Sequence, residues 1–160
     1  MAAPDLRLQR AIAVVLRLTH DLAATQARVL LPETADTQAA MVSLEPHGPL
    51  LVELPEGVTE VPHEALPHGS EPDVELPDTP ELRAYPPFEV DVESGTVTGT
   101  IGGLDAIAAA LALLAGTLGD GAVIACDLRT TDPHVPLGLA ARPGEPVVAL
   151  LGDDAFELTS

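Results

Sequence analysis

Residues 88–128 read FEVDVESGTVTGTIGGLDAIAAALALLAGTLGDGAVIACDL, and the changes of period along this stretch decide the fold class. Phe88, Val90 and Val92 alternate with Glu89, Asp91 and Glu93, the two-residue period of a half-buried strand with one acidic, solvated face. Ser94-Gly95 turns the chain, and Val97 and Ile101 alternate with Thr96, Thr98 and Thr100, which predicts a second strand returning as a hairpin. Gly102-Gly103 ends that strand. From there Leu104, Ile107, Ala108, Leu111, Leu114, Ala115 and Leu118 recur at three- and four-residue steps, so a helix is expected over 104–118, stopped by Gly119 and Gly121. Residues 122–128 then form a short apolar strand, and this unit is where the core is expected.

Upstream, residues 5 to about 30 carry the longest helical pattern, with Leu8, Ile12, Val15, Leu22 and Val29 on one stripe. Pro4 suits the first turn of that helix and Pro32 lies beyond its end. Residues 40–44 and 50–54 read as strands around a turn at Glu45-Pro46-His47-Gly48-Pro49. Composition then shifts: residues 55–87 hold eight prolines and eight acidic residues against one arginine, which predicts an extended, partly polyproline loop. Downstream, strands are expected over 137–141 and 147–151, and a short strand or a frayed helical turn over 155–158, separated by Gly- and Pro-containing turns. Short turns between clustered strands give an α+β class: one domain over 1–160 with a mostly antiparallel sheet, a long N-terminal helix and a second, buried Ala/Leu-rich helix.

One internal similarity is visible. Pro46-His47-Gly48-Pro49-Leu50 and Pro133-His134-Val135-Pro136-Leu137 agree at four of five positions, as a duplicated helix–strand–strand unit would. The residues around them agree poorly, and coincidence in a proline-rich chain is the better account.

With 160 residues and 46% apolar content the chain is able to build a core, but it has no Lys, Asn or Trp, so the core must consist of Leu, Val, Ala and a few Ile. The missing lysine and asparagine point to a GC-rich genome; an acidic, lysine-free chain also suits a salt-loving organism. A net charge of −18 argues against binding nucleic acid through its phosphates and against an anionic membrane surface. Residues 1–30 hold four arginines against two aspartates, net +2, which leaves the other 130 residues at −20. Cys126 is the only cysteine, so no disulfide forms within the chain. The run at 11–16 is broken by Arg17 before it resembles a secretory leader, and a cytoplasmic setting is expected.

Thr98-Gly99-Thr100-Ile101-Gly102-Gly103 ahead of a helix, with a following strand that ends in Cys126-Asp127-Leu128-Arg129, resembles the dinucleotide-binding start of the short-chain dehydrogenases. That resemblance implies Gly99, Gly102 and Gly103 at a pyrophosphate and Asp127 at ribose hydroxyls. The same glycines also serve as a sharp strand-to-helix joint. His47, His63, His68 and His134 all follow a proline, and His63 and His68 lie among carboxylates, but a flexible loop preorganises a metal poorly and no metal or other cofactor is expected. Asp132 and His134 fall in one turn with no nucleophile beside them, and Cys126 alternates with Ile124 and Leu128 as a core residue does.

The order of helix, strands, helix, strands in a small acidic chain resembles bacterial secretion chaperones, acidic dimers that hold a partner chain. The reading is therefore a non-enzymatic interaction module that binds a protein partner and forms a homodimer through residues 104–118, whose outer side carries Ala106, Ala109, Ala110, Ala112 and Leu113. Two alternatives stand beside it: an acidic inhibitor or immunity-type protein that neutralises a basic partner, and a nucleotide-linked enzyme using the turn at 99–103.

Overall fold

The computed structural model describes residues 6–22, 24–35, 38–45, 48–62, 76–77, 79–80, 82, 89–91, 96–98, 101–119, 121–131, 137–151 and 154–158. Within these, helix α1 (Leu6–His20) leads into strands β1 (Gln26–Leu31), β2 (Ala40–Leu44), β3 (Leu50–Leu54) and β4 (Gly57–Val61). A short ribbon of β5 (Glu89–Asp91) and β6 (Thr96–Thr98) follows. Helix α2 (Ile101–Gly116) then leads into β7 (Val123–Leu128), β8 (Leu137–Ala141), β9 (Val147–Leu151) and β10 (Asp154–Leu158). The class is α+β with an antiparallel sheet, and the eight strands outside the ribbon form one continuous sheet in the order β10-β9-β8-β7-β1-β2-β3-β4.

Each four-strand half is a meander, because each connection within it is short and an antiparallel neighbour is the only partner a short turn can reach. The two meanders meet where β1 pairs antiparallel with β7. Strand alternation places Ala27, Val29 and Leu31, Ala40, Val42 and Leu44, and their counterparts in β7 and β8 on one buried face. Both helices lie on that face, α1 over β1 and β2 and α2 over β7 to β10, and a single apolar cluster joins helices and sheet. In α1 the buried positions are Ala11, Val14, Val15 and Leu18; in α2 they include Leu104, Ile107, Leu111 and Leu114.

The start of α1 is tied to the end of α2. Arg7 Nε donates to the Leu118 carbonyl at 3.3 Å and Arg10 Nη1 to the Thr117 carbonyl at 3.4 Å. Helix α2 has no basic residue in its own last turn, so arginines from α1 supply positive charge where the carbonyl ends of the helix accumulate negative potential. Gly119, at φ +87°, adopts the left-handed conformation that lets the chain leave the helix. Farther along α1, Arg17 Nη1 donates to the Pro77 carbonyl at 2.6 Å and to Thr79 Oγ1 at 3.3 Å, and Leu82 is buried in the core. These described residues of the proline-rich connection thus rest on the helix layer.

Three expectations need correction. The N-terminal helix stops at His20 instead of running to about residue 30, and the residues read as its last turns are β1 at the middle of the sheet. Gln26–Leu31 buries Ala27, Val29 and Leu31 on alternate positions, and Val29 satisfied both a helical stripe and a strand period. Second, the hairpin read from residues 88–101 exists only as a separate two-stranded ribbon, and Ile101, Gly102 and Gly103 belong to the first turn of α2. Third, the loop expected from residue 55 starts with a two-residue turn and an edge strand, β4; an edge tolerates the flanking Pro55 and Pro62 because one side of it needs no partner. Residues 63–75, 78, 81 and 83–87 of that loop lie outside the described residues.

The two halves are one motif used twice. Strands β1 to β4 start at 26, 40, 50 and 57, strands β7 to β10 start at 123, 137, 147 and 154, and each pair of starts differs by 97 with identical strand lengths. Pairing register is repeated as well: Val42 faces Val52 as Leu139 faces Ala149, and Leu50 faces Val61 as Val147 faces Leu158. Duplication is therefore the better account after all, but not through the similarity seen in the sequence. Pro46–Leu50 and Pro133–Leu137 are 87 apart, ten residues off the structural equivalence, which sets residues 46–50 against Pro143-Gly144-Glu145-Pro146-Val147.

Candidate functional site

The helices cover one face of the sheet, and the other carries the alternate residues of each strand. On that outer face the register forms a row across all eight strands. From the central pair Arg28 and Ala125 it runs through Ser43, Leu51 and Glu60 on one side and through Ala140, Val148 and Glu157 on the other. Beside it, Val58, Glu53, Met41, Leu30 and Val123 make a second row, and Asp127, Gly138 and Leu150 belong to a third.

This face is more apolar than a solvated sheet face needs to be. Four large apolar side chains are strongly exposed among the described residues: Leu30 and Leu150 at 45%, Leu113 at 51% and Val58 at 61%. Leu30, Leu150 and Val58 are on the outer face of the sheet, while Leu113 is on α2. Met41, Leu51, Val123 and Val148 continue the patch as half-buried neighbours. Exposed apolar side chains scattered singly need no explanation, whereas a contiguous group marks a contact surface.

At the outer-face positions of the strands Arg28 is the cation, and the acids are shared between the halves, Glu53 and Glu60 on β3 and β4, Asp127 and Glu157 on β7 and β10. Glu45 and Arg142, equivalent positions 97 apart, are both exposed just after β2 and β8, so an acid follows the second strand of the first half where a base follows that of the second.

The residues singled out for a dinucleotide are not assembled into one place. Gly99 lies outside the described residues, and Gly102 and Gly103 are in the first turn of α2 on the helix side of the sheet. Asp127 is on the opposite face, where its Oδ1 would lie 3.3 Å from a Cβ placed on Gly138. The parallel strand–helix–strand unit implied by the resemblance is not formed either, since β6 pairs with β5 and β7 pairs antiparallel with β1 and β8. The chain also has no lysine for that family's Tyr-x-x-x-Lys pair. What Asp127 does provide is a seam: its carbonyl accepts from Thr25 N–H at 2.8 Å and Thr25 Oγ1 at 3.1 Å, fastening the start of β1 to β7.

His47, His63, His68 and His134 lie outside the described residues, as does Asp132. His20 is exposed and its Nδ1 is 2.9 Å from Asp21 Oδ1. No group of three metal-ligating side chains occurs among the described residues, and no helix among them is long and apolar enough to cross a membrane. Cys126 is buried in the core, and burial together with the neighbouring Asp127 charge pushes its thiol up to about 12, far from nucleophilic form at neutral pH.

The outer-face residues escaped a reading by periodicity, although a signal was present. Val147-Val148-Ala149-Leu150-Leu151 and Val29-Leu30-Leu31 are apolar at both parities, and a strand covered on one face only must then expose half of them. No known protein-family model, curated protein sequence or solved structure matches this chain.

Proposed function

We propose that this chain is a non-enzymatic protein-binding module and that the outer face of its sheet is the binding surface. The observation that carries the reading is the exposure of Leu30, Leu150 and Val58, on β1, β9 and β4, on the face that the helices do not pack against. An antiparallel sheet backed by two helices is a preorganised platform, so little ordering cost falls on this side of the contact. In this the chain would act as secretion chaperones do, holding a partner chain, and a cytoplasmic setting belongs to the same proposal. The net charge of −18 favours a basic partner, which also supports the narrower reading of an inhibitor that neutralises one. Self-association through the exposed side of α2, at Ala109, Ala112 and Leu113, is a second contact of the proposed module.

Affinity capture from native extract tests the reading when wild type is compared with two surface variants. Leu30→Asp combined with Leu150→Asp places charge on the outer face, and Leu113→Asp places it on α2. The reading expects a protein retained by wild type and by Leu113→Asp and lost from the double variant, with all three melting alike. Equal retention by all three proteins removes the outer face as the binding surface.

A further inference from the structure

Residues 76–82 belong to neither copy of the repeated unit, yet their described members rest on it as a bound peptide rests on a receptor. We propose that they form a strap that opens and closes beside α1 while the sheet and both helices stay folded, and that its seat is a peptide slot filled by the chain's own segment. The device does not depend on the outer face of the sheet being a binding surface.

Side chains hold the strap. Arg17 Nη1 donates to the Pro77 carbonyl at 2.6 Å and to Thr79 Oγ1 at 3.3 Å, and Thr79 is buried. Leu82 is a member of the core cluster, and Leu76 packs against its margin. The backbone bond described for the strap is internal: Leu82 N–H donates to the Thr79 carbonyl at 3.0 Å, closing a turn that the fixed φ of Pro80 favours. Pro77 and Pro80 have no N–H to offer a strand, and among the described residues no strand of the sheet pairs with this segment. An element attached by one guanidinium and two leucines detaches at less cost than the sheet unfolds.

The repeat shows that the fold does not require the cover. The link from helix to first strand is one residue shorter in the first half, so the helices are in step at a spacing of 96. Ala11, Val14, Val15 and Leu18 then match Ile107, Ala110, Leu111 and Leu114, and all eight are buried. At the same spacing Arg17 matches Leu113, which is exposed. The second half therefore folds with this position open, whereas in the first half an arginine stands there and grips the strap.

The grip is that of peptide recognition. Arg17 bonds neutral acceptors, a main-chain carbonyl and a hydroxyl, so the slot is defined by a carbonyl at Pro77, a hydroxyl two residues on, and a leucine at either end. Tethering keeps the chain's own segment at an effective concentration on the order of millimolar, which excludes a free segment of the same pattern at micromolar concentration.

Two measurements on the full chain test the device. In Leu82→Cys, a thiol reagent reports opening of the strap at position 82 and opening of the sheet at Cys126, which is buried in β7. Position 82 is expected to label at least about tenfold faster than Cys126 and to gain about another tenfold when Arg17→Gln is added. Equal rates at the two thiols would overturn the proposal, because the segment would then open only with the whole fold. A fluorescent synthetic peptide with the sequence of residues 74–84 is then titrated into wild type, into Leu82→Ser, and into Leu82→Ser with Arg17→Gln. Binding is expected to be tightest to Leu82→Ser, about tenfold weaker to wild type, where the strap competes, and about tenfold weaker again on loss of Arg17. Binding that is equal in all three, or absent from Leu82→Ser, would show that the seat is no peptide slot. Thermal melts accompany each variant, and a Leu82→Ser chain that fails to fold would also overturn the proposal, by making the segment part of the core.

Discussion

Arg28 faces Ala125 across the junction of β1 and β7, and the two are the same position of the repeated unit, since 28 and 125 differ by the repeat spacing of 97. A pair made of two equivalent residues lies on the pseudo-two-fold axis of the sheet, with each half pairing to the other through its own first strand. Two self-complementary edges of this kind are how a two-fold dimer builds a continuous sheet, and here one chain carries both copies. The sheet consequently has only two edges, β4 and β10, for its eight strands.

The connection between α2 and β7 leaves no room at Gly121. Its φ is +82° and an added Cβ would lie 2.8 Å from Pro32 Cγ, whereas at Gly119, φ +87°, nothing lies within 4 Å. Both glycines are left-handed, so alanine costs about 1–2 kcal/mol of backbone strain at either. Chemical denaturation should show Gly121→Ala to be the more destabilised, by the overlap with Pro32. Equal losses would mean that Pro32 moves aside freely.

Alkaline stability should carry the signature of Cys126. Its folded pKa of about 12 stands above the ordinary value of 9.0, so below pH 9 the thiol is protonated folded or unfolded and its contribution is complete. Between these values the unfolded chain loses a proton that the folded chain keeps, and stability falls with rising pH by up to about 1.4 kcal/mol per unit. Cys126→Ala removes that slope. A wild-type and variant pair with parallel profiles from pH 9 upward would contradict the burial, as would rapid labelling of the native thiol at pH 8.

Salt should stabilise the fold. A compact chain at −18 repels itself, and screening acts within a Debye length of about 8 Å at physiological ionic strength. Melting midpoints are expected to rise from low to high chloride. A flat or falling midpoint would mean that bound cations already offset the repulsion.

The outward side of α2 offers Asp105, Ala109, Ala112 and Leu113 to solvent, while Ala110 is buried and Ala106 half-buried. An apolar helix face with small side chains admits a two-fold mate at close range. Sedimentation at tens of micromolar is expected to show a dimer that Ala109→Glu splits with its circular dichroism unchanged. A wild-type monomer at that concentration would leave this face without the proposed contact.

Much of the fold was legible locally. Strands at 40–44, 50–54, 137–141 and 147–151 stand between prolines and glycines that fix where an element starts and ends, and the structure has them at those residues. The boundary of α1 and β1 was illegible because neither Gly nor Pro marks it. The chain leaves the helix through Asp21 N–H to the Arg17 carbonyl and Ala24 N–H to the Leu18 carbonyl, bonds that any residue makes. Duplication was hidden for a different reason: register is held by backbone pairing and by an inward apolar position, which Val29 and Cys126, or Val52 and Ala149, satisfy equally well. Identities such as Leu31 with Leu128 and Glu60 with Glu157 are too sparse to reveal the spacing. The outer face could not be recognised before the helices were placed on the other one.

Photo-crosslinking from single positions tests the binding surface most directly. A photoreactive aromatic residue is placed at Leu30, at Leu150 or at Leu113 in the full chain, and the cells that make it are irradiated. The same discrete adduct to another protein is expected from positions 30 and 150, and from position 113 only an adduct with a second copy of this chain. An adduct to another protein from position 113 with none from 30 or 150 would contradict the account, by moving the partner from the open face of the sheet to the helix layer.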